Sequence, residues 1–339
     1  VDVDVEAPAA PGAQPRVRRR FPWRSVLCWL AVAPGALWAV VRIAGLDWRP
    51  FVQLIAFTPY AAAGSVLPLA LAVLLRRWRQ AAVAGLALAL LAFAVLPRAI
   101  ADNVPAVRGP VVRVMTANAL FGRADPAALV AEVRERRVDL LAMQEFTPDL
   151  AAGLDAAEIG ALLPYRELHP EPGAAGSAIY SRFPLRDGAV RRQPGSGFLQ
   201  ASATVLVPGA PELGFESVHP CPPAGWGTLN AWRRELSAQY PATPKGGLRV
   251  LAGDFNATLD HAPLRRLIAT GYRDAADAAG AGLIGTWGPY DDDPIPPVTI
   301  DHVLADKRIG VESVEVHGTP GSDHRKVLAE LTLPRGDNP

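Results

Sequence analysis

Leu248-Arg249-Val250-Leu251-Ala252-Gly253-Asp254-Phe255-Asn256 is an apolar, β-branched run that stops on a carboxylate and an amide. It reads as a strand over 248–252 with a polar end. The same design recurs outward in both directions. A run over 111–116 leads into Ala117-Asn118, one over 138–143 into Gln144-Glu145, and one over 213–218 into His219. Downstream, 299–304 carries Asp301-His302 near its start, and 327–333 follows Ser322-Asp323-His324. Runs over 177–180, 199–207 and 311–316 complete the strands. Helical patterns fall between them at 126–137, 148–163, 227–240 and 262–270, with Pro126 and Pro148 suited to first-turn positions. Strands in series with intervening helices predict a layered α/β sandwich with a polar rim on one sheet edge.

The rim has a definite chemistry. Glu145, Asp254, Asp301 and Asp323 are hard oxygen donors of the kind that suit Mg²⁺ or Mn²⁺, ions that also bind substrate phosphate oxygens. The two cysteines, Cys28 and Cys221, have no zinc-site or disulfide spacing. Three of the six histidines, His219, His302 and His324, fall in these motifs, so the site reads as phosphate-directed. Strand alternation turns His302 to the opposite face, where a structural role is expected. His261 precedes a helix and is expected to cap or pack there. His169 and His317 have no motif around them. Arg182 reads as a surface ion-pair former, and Trp226, Trp232 and Trp287 as core.

Seven stretches, in order, resemble the endonuclease/exonuclease/phosphatase superfamily: Val114-Met115-Thr116-Ala117-Asn118, Leu141-Ala142-Met143-Gln144-Glu145, Ser177 to Leu185, Val218-His219-Pro220, Leu251 to Asn256, Thr299 to Leu304, and Ser322-Asp323-His324. The resemblance implies a four-layer αββα sandwich, deoxyribonuclease-like, over 110–334. It also implies site roles. Glu145 would bind the metal with Asn118 beside it, and Asp323 would contribute a second ligand. Asp254 would position and deprotonate the attacking water, and Asn256 would hydrogen-bond the phosphate. His324 would contact the phosphate with its ring oriented by Asp301, and His219 would donate to a phosphate or leaving oxygen. The complete set weighs against a catalytically silent membrane-bound module of the same fold. The segment Thr286-Trp287-Gly288-Pro289 also matches one that lies near the site in that family.

Residues 25–100 are of another kind, almost all Ala, Leu, Val, Ile, Trp and Gly. Apolar stretches over 25–41, 52–75 and 81–96 approach the ~20 residues that cross a bilayer as a helix. Pro59, Gly64 and Pro68 in the second are tolerated where neighbouring helices satisfy the freed carbonyls. Three spans are therefore expected, after a disordered basic tail over 1–24 and before a linker over 101–109; a short tail follows at 335–339. Arg16, Arg18, Arg19, Arg20, Arg24, Arg76, Arg77 and Arg79 lie on one side, against Arg42, Arg49, Arg98 and Arg108 on the other. This bias predicts a multi-pass cell-membrane protein whose catalytic domain is extracytoplasmic.

Charge divides at the same place. Residues 1–109 carry 12 Arg and 5 acids, net +7, whereas 110–339 carry 22 basic and 28 acidic residues, net −6. A domain that grips long DNA is expected to be basic. The expected activity is thus hydrolysis of a phosphate ester, the candidates being nucleic acid and a phospholipid or small phosphodiester. The lipid bilayer is the partner of 25–100, and no protein partner is implied.

Overall fold

The computed structural model describes residues 23–103, 106–288 and 295–336. Of the expected tail over 1–24, residues 1–22, with Arg16, Arg18, Arg19 and Arg20, lie outside the described residues, as do 337–339, while Trp23 and Arg24 begin the first helix.

Helix α1 (Trp23–Ala44) is followed by α2 (Phe51–Leu54), a 3-10 turn (Ile55–Phe57), α3 (Thr58–Gly64), α4 (Val66–Leu74) and α5 (Trp78–Val95). Trp23–Ala44, Phe51–Leu74 and Trp78–Ala99 are each long and apolar enough to cross a membrane, with mean hydropathies of 1.9, 1.6 and 2.1. Leu67, Leu74 and Phe93 are 74%, 79% and 82% exposed, which a water-facing bundle would avoid. The second stretch is broken where its sequence says it should be. Pro59 starts α3, and the loosened turns are satisfied locally: Thr58 Oγ1 donates to the Ile55 carbonyl and accepts from Trp38 Nε1, and Ser65 Oγ donates to the Ala61 carbonyl.

The strands and longer helices of the remainder build the sandwich. In chain order they are β1 (Val111–Asn118), α6 (Pro126–Glu135), β2 (Leu140–Gln144), α7 (Pro148–Ala156), β3 (Tyr165–His169), β4 (Ser177–Ser181), β5 (Leu185–Arg192), β6 (Leu199–Val205), β7 (Leu213–Val218), α8 (Trp226–Ser237), β8 (Leu248–Asp254), α9 (Ala262–Ala269), β9 (Tyr272–Asp274), β10 (Asp301–Asp306), β11 (Gly310–Gly318) and β12 (Arg325–Thr332). One six-stranded sheet runs β11-β12-β1-β2-β4-β3 and the other β5-β6-β7-β8-β10-β9. Each has one parallel pair near its middle, β1 with β2 and β7 with β8. Three strands were not foreseen: β3, β5 and β9. All three are sheet edges, and β5 carries Arg186, Asp187, Arg191 and Arg192 in place of an apolar face, the charged composition that protects an edge from further pairing.

Alternation along each strand sorts the layers. Val112, Val114, Leu140 and Ala142 meet Phe215, Val250, Ala252 and Val303 between the sheets. Met115, Leu141 and Met143 face outward under Leu129, Val133 and Leu150 of α6 and α7. Leu251 and Leu304 face outward under Trp232, Leu264 and Leu267 of α8 and α9. The result is the expected four-layer αββα sandwich. Continued toward one end, the inner faces change character: Thr116 and Asn118 follow Val114, Gln144 follows Ala142, Ser217 and His219 follow Phe215, and Asp254 follows Ala252. A buried chain from Thr116 Oγ1 to Gln144, Ser217 Oγ and the Met143 carbonyl ties the sheets together just below these groups.

The apolar helices do not hang free of the sandwich. Val52 is fully buried in the α8–α9 core. Asp260 accepts a bidentate pair from Arg98 at 2.6 and 2.9 Å and a third bond from Arg42 at 2.6 Å. Asp47, between the first two stretches, accepts the Ala262 N–H at 2.8 Å and so caps α9 from across the junction. His261 sits at that N-cap position without capping. Its Nδ1 accepts from the Thr258 N–H and its Nε2 donates to the Val52 carbonyl at 2.8 Å, so this ring joins the two parts of the chain.

Candidate active site

At the polar end of the inner faces, Asn118 Nδ2 lies 3.1 Å from Glu145 Oε1 and 3.0 Å from Asp254 Oδ2. Its orientation is fixed by the Leu120 N–H, which donates to Asn118 Oδ1. Glu145 leaves the strand in a left-handed conformation (φ 57°), uncommon outside glycine and costly by about 1–3 kcal/mol. The turn aims its carboxylate into the cleft, where Oε2 accepts the Phe121 N–H at 2.6 Å.

Across the cleft, β8 and β10 pair with Asp254 opposite Asp301. Asp301 accepts from His324 Nδ1 at 3.0 Å and from Thr286 Oγ1 at 2.7 Å, while Thr286 Oγ1 also accepts the Ile300 and Asp301 N–H groups. That leaves His324 Nε2 facing Asp254 Oδ2 at 3.8 Å and Asp323 Oδ1 at 3.9 Å. His219, stacked on Phe198, points its own Nε2 at Asp254 Oδ2 (3.7 Å) and Glu145 Oε1 (3.9 Å). These separations are too long for hydrogen bonds. Both Nε2 atoms therefore look into a gap beside Asp254.

Burial and charge set the protonation states. Burial pushes Asp254 up to about 7; the His324 charge opposes this, and the carboxylates of Asp301 and Glu145 reinforce it. Burial alone would lower His324, but Asp301 and Asp254 outweigh it and hold the ring charged, at about 10. Burial, reinforced by the His324 charge, drives His219 down to about 3. The cleft thus sets one neutral and one charged imidazole on either side of a carboxylate balanced near neutrality.

Of the eight residues singled out in the sequence, Asn118, Glu145, His219, Asp254, Asp301 and His324 converge here. Asn256 stands at the margin. Its N–H donates to Asp254 Oδ1, while its side-chain amide donates to the Pro220 carbonyl at 3.0 Å and lies 3.4 Å from Asp254 Oδ2. Asp323 is on the rim, where Oδ2 accepts from Trp287 Nε1 at 3.0 Å and Oδ1 is buried without a hydrogen-bond partner among the described residues. Trp287, expected to be core, is thus a contact of the site, and Thr286 had been given no role although its segment was matched to one near the site. The signal was the Thr286-Trp287-Gly288-Pro289 segment itself. His302 turns away to Asp274 and the Ala257 carbonyl, and Arg182 pairs with Asp139 at the surface. Trp232 is fully buried.

The donor set fits a divalent cation. The carboxylates of Asp254 and Asp301 converge with a ring nitrogen of His324, all within 4.8 Å of one another, Glu145 adds a further carboxylate, and Asp323 Oδ1 has no hydrogen-bond partner among the described residues; the charged His324 ring has no lone pair to give, so the oxygens are the donors. Cys28 and Cys221 are free, buried and play no part here.

Residues 115–324 match the model of the Endonuclease/Exonuclease/phosphatase family. No curated protein sequence matches the chain significantly. Among solved structures, an endonuclease/exonuclease/phosphatase protein from Beutenbergia cavernae is similar at 20% identity and a TM-score of 0.51, over 66% of this chain and 72% of that one. TDP2 from D. rerio, complexed with single strand DNA product, is similar at 16% and 0.51, over 66% and 99%. An AP endonuclease from Archaeoglobus fulgidus is similar at 13% and 0.52, over 64% and 98%. These likenesses are of fold, and with the family match they identify the chain as a member of the endonuclease/exonuclease/phosphatase family, whose members are generally metal-dependent hydrolases of phosphate esters.

Proposed function

We propose that the chain is a membrane-tethered, divalent-metal-dependent phosphoric ester hydrolase, with 110–334 catalytic and 25–100 as its anchor. The observation that carries this reading is the environment of Asp254. A buried carboxylate near neutrality, 3.7–3.8 Å from two imidazole Nε2 atoms and 3.0 Å from an amide, is a base with donors converging beside it. Asp254 takes the proton of the attacking water. The His324 imidazolium, its ring held by Asp301 and Thr286, donates from Nε2 to a phosphate oxygen where negative charge grows. His219, neutral, donates to a phosphate oxygen or to the leaving oxygen. Asn256 gives Pro220 one amide N–H and offers the other on the Asp254 side to the phosphate.

Glu145 and Asp323 would hold Mg²⁺ or Mn²⁺, with Asn118 beside them: its Oδ1 accepts from the Leu120 N–H and its Nδ2 steadies the Glu145 and Asp254 carboxylates. When bound, such an ion supplies charge neutralisation and Lewis-acid polarisation of the phosphate. The arginine bias puts the catalytic domain outside the cell. Protease added to intact cells should then remove it, and full protection would reverse the topology.

The chemistry is tested with the full chain in detergent or nanodiscs with Mg²⁺ and bis(p-nitrophenyl) phosphate. Asp254→Ala and His324→Ala should each lower kcat/KM by roughly 10²–10⁴. Unchanged turnover in both variants would sink the assignment, and a wild-type chain without turnover on any phosphate ester would favour the silent binding module.

A further inference from the structure

Where the second apolar stretch meets the sandwich, a cavity of about 360 Å³ opens beside the catalytic cluster. One wall is Val52, Ala56 and Phe57; the other is Pro223, Trp287 and Val298. Its volume is that of a small-molecule pocket, and its surface is almost wholly apolar. The Gln53, Asn256 and His261 side chains on it each already give one donor to a backbone carbonyl. Gln53 Nε2 donates to the Pro223 carbonyl, Asn256 Nδ2 to the Pro220 carbonyl, and His261 Nε2 to the Val52 carbonyl. A nucleobase, whose edge needs hydrogen-bond partners, would find few here. An alkyl chain needs none.

Two features tie the cavity to the site and to the membrane level. Asn256 lines it and is hydrogen-bonded to Asp254; Trp287 lines it and holds Asp323 through Nε1. The walls are clamped by Arg49 to the Ala224 carbonyl and Tyr60 to the Pro297 carbonyl. At this end of the apolar helices Trp48 and Tyr60 are exposed, and at the far end Trp23 and Trp78 are. Such pairs of aromatic levels mark the two interfaces of a bilayer. The proposed anchor would hold the cavity at headgroup depth.

We propose that this cavity is a substrate subsite, built jointly by the membrane segment and the catalytic loops, for the hydrocarbon chain of a membrane-resident phosphate ester, whose phosphate then lies at Asp254. The inference rests on the hydrolase reading above. Its test uses the full chain in nanodiscs with Mg²⁺ and a series of alkyl p-nitrophenyl phosphate diesters from methyl to hexyl. In the wild type kcat/KM should rise with chain length, by up to about fourfold per methylene if each is fully buried. Ala56→Trp and Ala224→Trp, which fill the cavity from opposite walls, should flatten that rise; partitioning into the bilayer, which they do not alter, cannot mimic this. Thermal melts show whether each variant folds, and either wall alone suffices. Equal slopes in wild type and both variants would overturn the subsite, and so would a flat wild-type series with turnover of the methyl ester, which leaves the hydrolase reading standing. Preference for an oligodeoxynucleotide, indifferent to both substitutions, would overturn it in favour of nucleic acid. Absence of turnover on every ester would remove the hydrolase reading and the subsite with it.

Discussion

Asp254 and Asp260 are six residues apart, both fully enclosed, and they have opposite electrostatics. Asp260 lies between Arg98 and Arg42. Burial would raise it, but the two guanidiniums outweigh burial and hold it below the usual carboxylate range. Asp254 has carboxylates for neighbours as well as imidazole, and it is pushed up to about 7. One aspartate is a fully paired joint between the apolar helices and the sandwich; the other is left with uncompensated negative charge. Fully paired buried charge is what a joint requires, and a perturbed carboxylate in a cleft is what proton transfer and cation binding require. The difference is in the partners and not in the residue.

The comparison breaks first at the extremes. Asp254→Ala should cost about 10³-fold or more in kcat on a small diester, while the thermal midpoint in detergent stays level or rises, because a buried carboxylate without full compensation has gone. Asp260→Ala should do the reverse: stability falls by about 3–5 kcal/mol as Arg98 and Arg42 lose their partner, with activity at a permissive temperature within about tenfold of wild type. Chemical denaturation monitored by tryptophan fluorescence measures the first quantity and initial rates the second. If Asp254→Ala melts the protein and Asp260→Ala silences it, the two roles have been exchanged.

This contrast was only half legible in the sequence. Asp254 could be found because a strand run ending in Gly253-Asp254-Phe255-Asn256 has counterparts at Asn118, Glu145 and His219, and because alternation along the strand sends 250, 252 and 254 to one face. Asp260 follows no strand and has no motif. Its partners Arg98 and Arg42 lie 162 and 218 residues away, and no local pattern couples such positions. Asp47 capping α9 and His261 reaching Val52 were hidden for the same reason. The layered fold was readable from periodicity, whereas β3 and β5 escaped because polar and charged residues interrupt their alternation, and β9 because three residues hold no period. Trp287 escaped for a third reason: its ring is apolar and packs as such, and only the Nε1 hydrogen enters the site.

Acid and metal sharpen the contrast next. A carboxylate held below its ordinary value of 3.8 contributes stability that is present above that pH and lost as pH falls through the depressed value. The joint at Asp260 should therefore hold at pH 5 and loosen only in stronger acid. Asp254, raised to about 7, works the other way: its favourable contribution is present below 3.8 and is lost as pH rises toward 7. Above that pH a divalent cation has the most to offer, since it no longer competes with a proton. Saturating Mg²⁺ should raise the thermal midpoint by several degrees at pH 8 and by much less at pH 5, and Asp254→Asn should shrink the pH 8 shift. Equal shifts at both pH values would separate the cation from this cluster.

The smallest expected effect tests how far the site extends. Trp287→Phe keeps an aromatic ring and removes the Nε1–H that reaches Asp323 Oδ2 at 3.0 Å. A hydrogen bond to a charged group contributes about 1.5–3 kcal/mol when dry, but the Asp323 side chain is 39% exposed and water can replace part of it. Asp323 lies 3.9 Å from His324 Nε2, so a loosened carboxylate should reach the chemistry through the field at that imidazole. The expected loss in kcat/KM is roughly threefold to tenfold, near 1 kcal/mol, with little change in thermal midpoint. A loss as large as that of Asp254→Ala would mean that this one bond decides whether Asp323 holds the cation at all. No loss at all would make it a rim charge and confine the working site to Asn118, Glu145, His219, Asp254, Asp301 and His324.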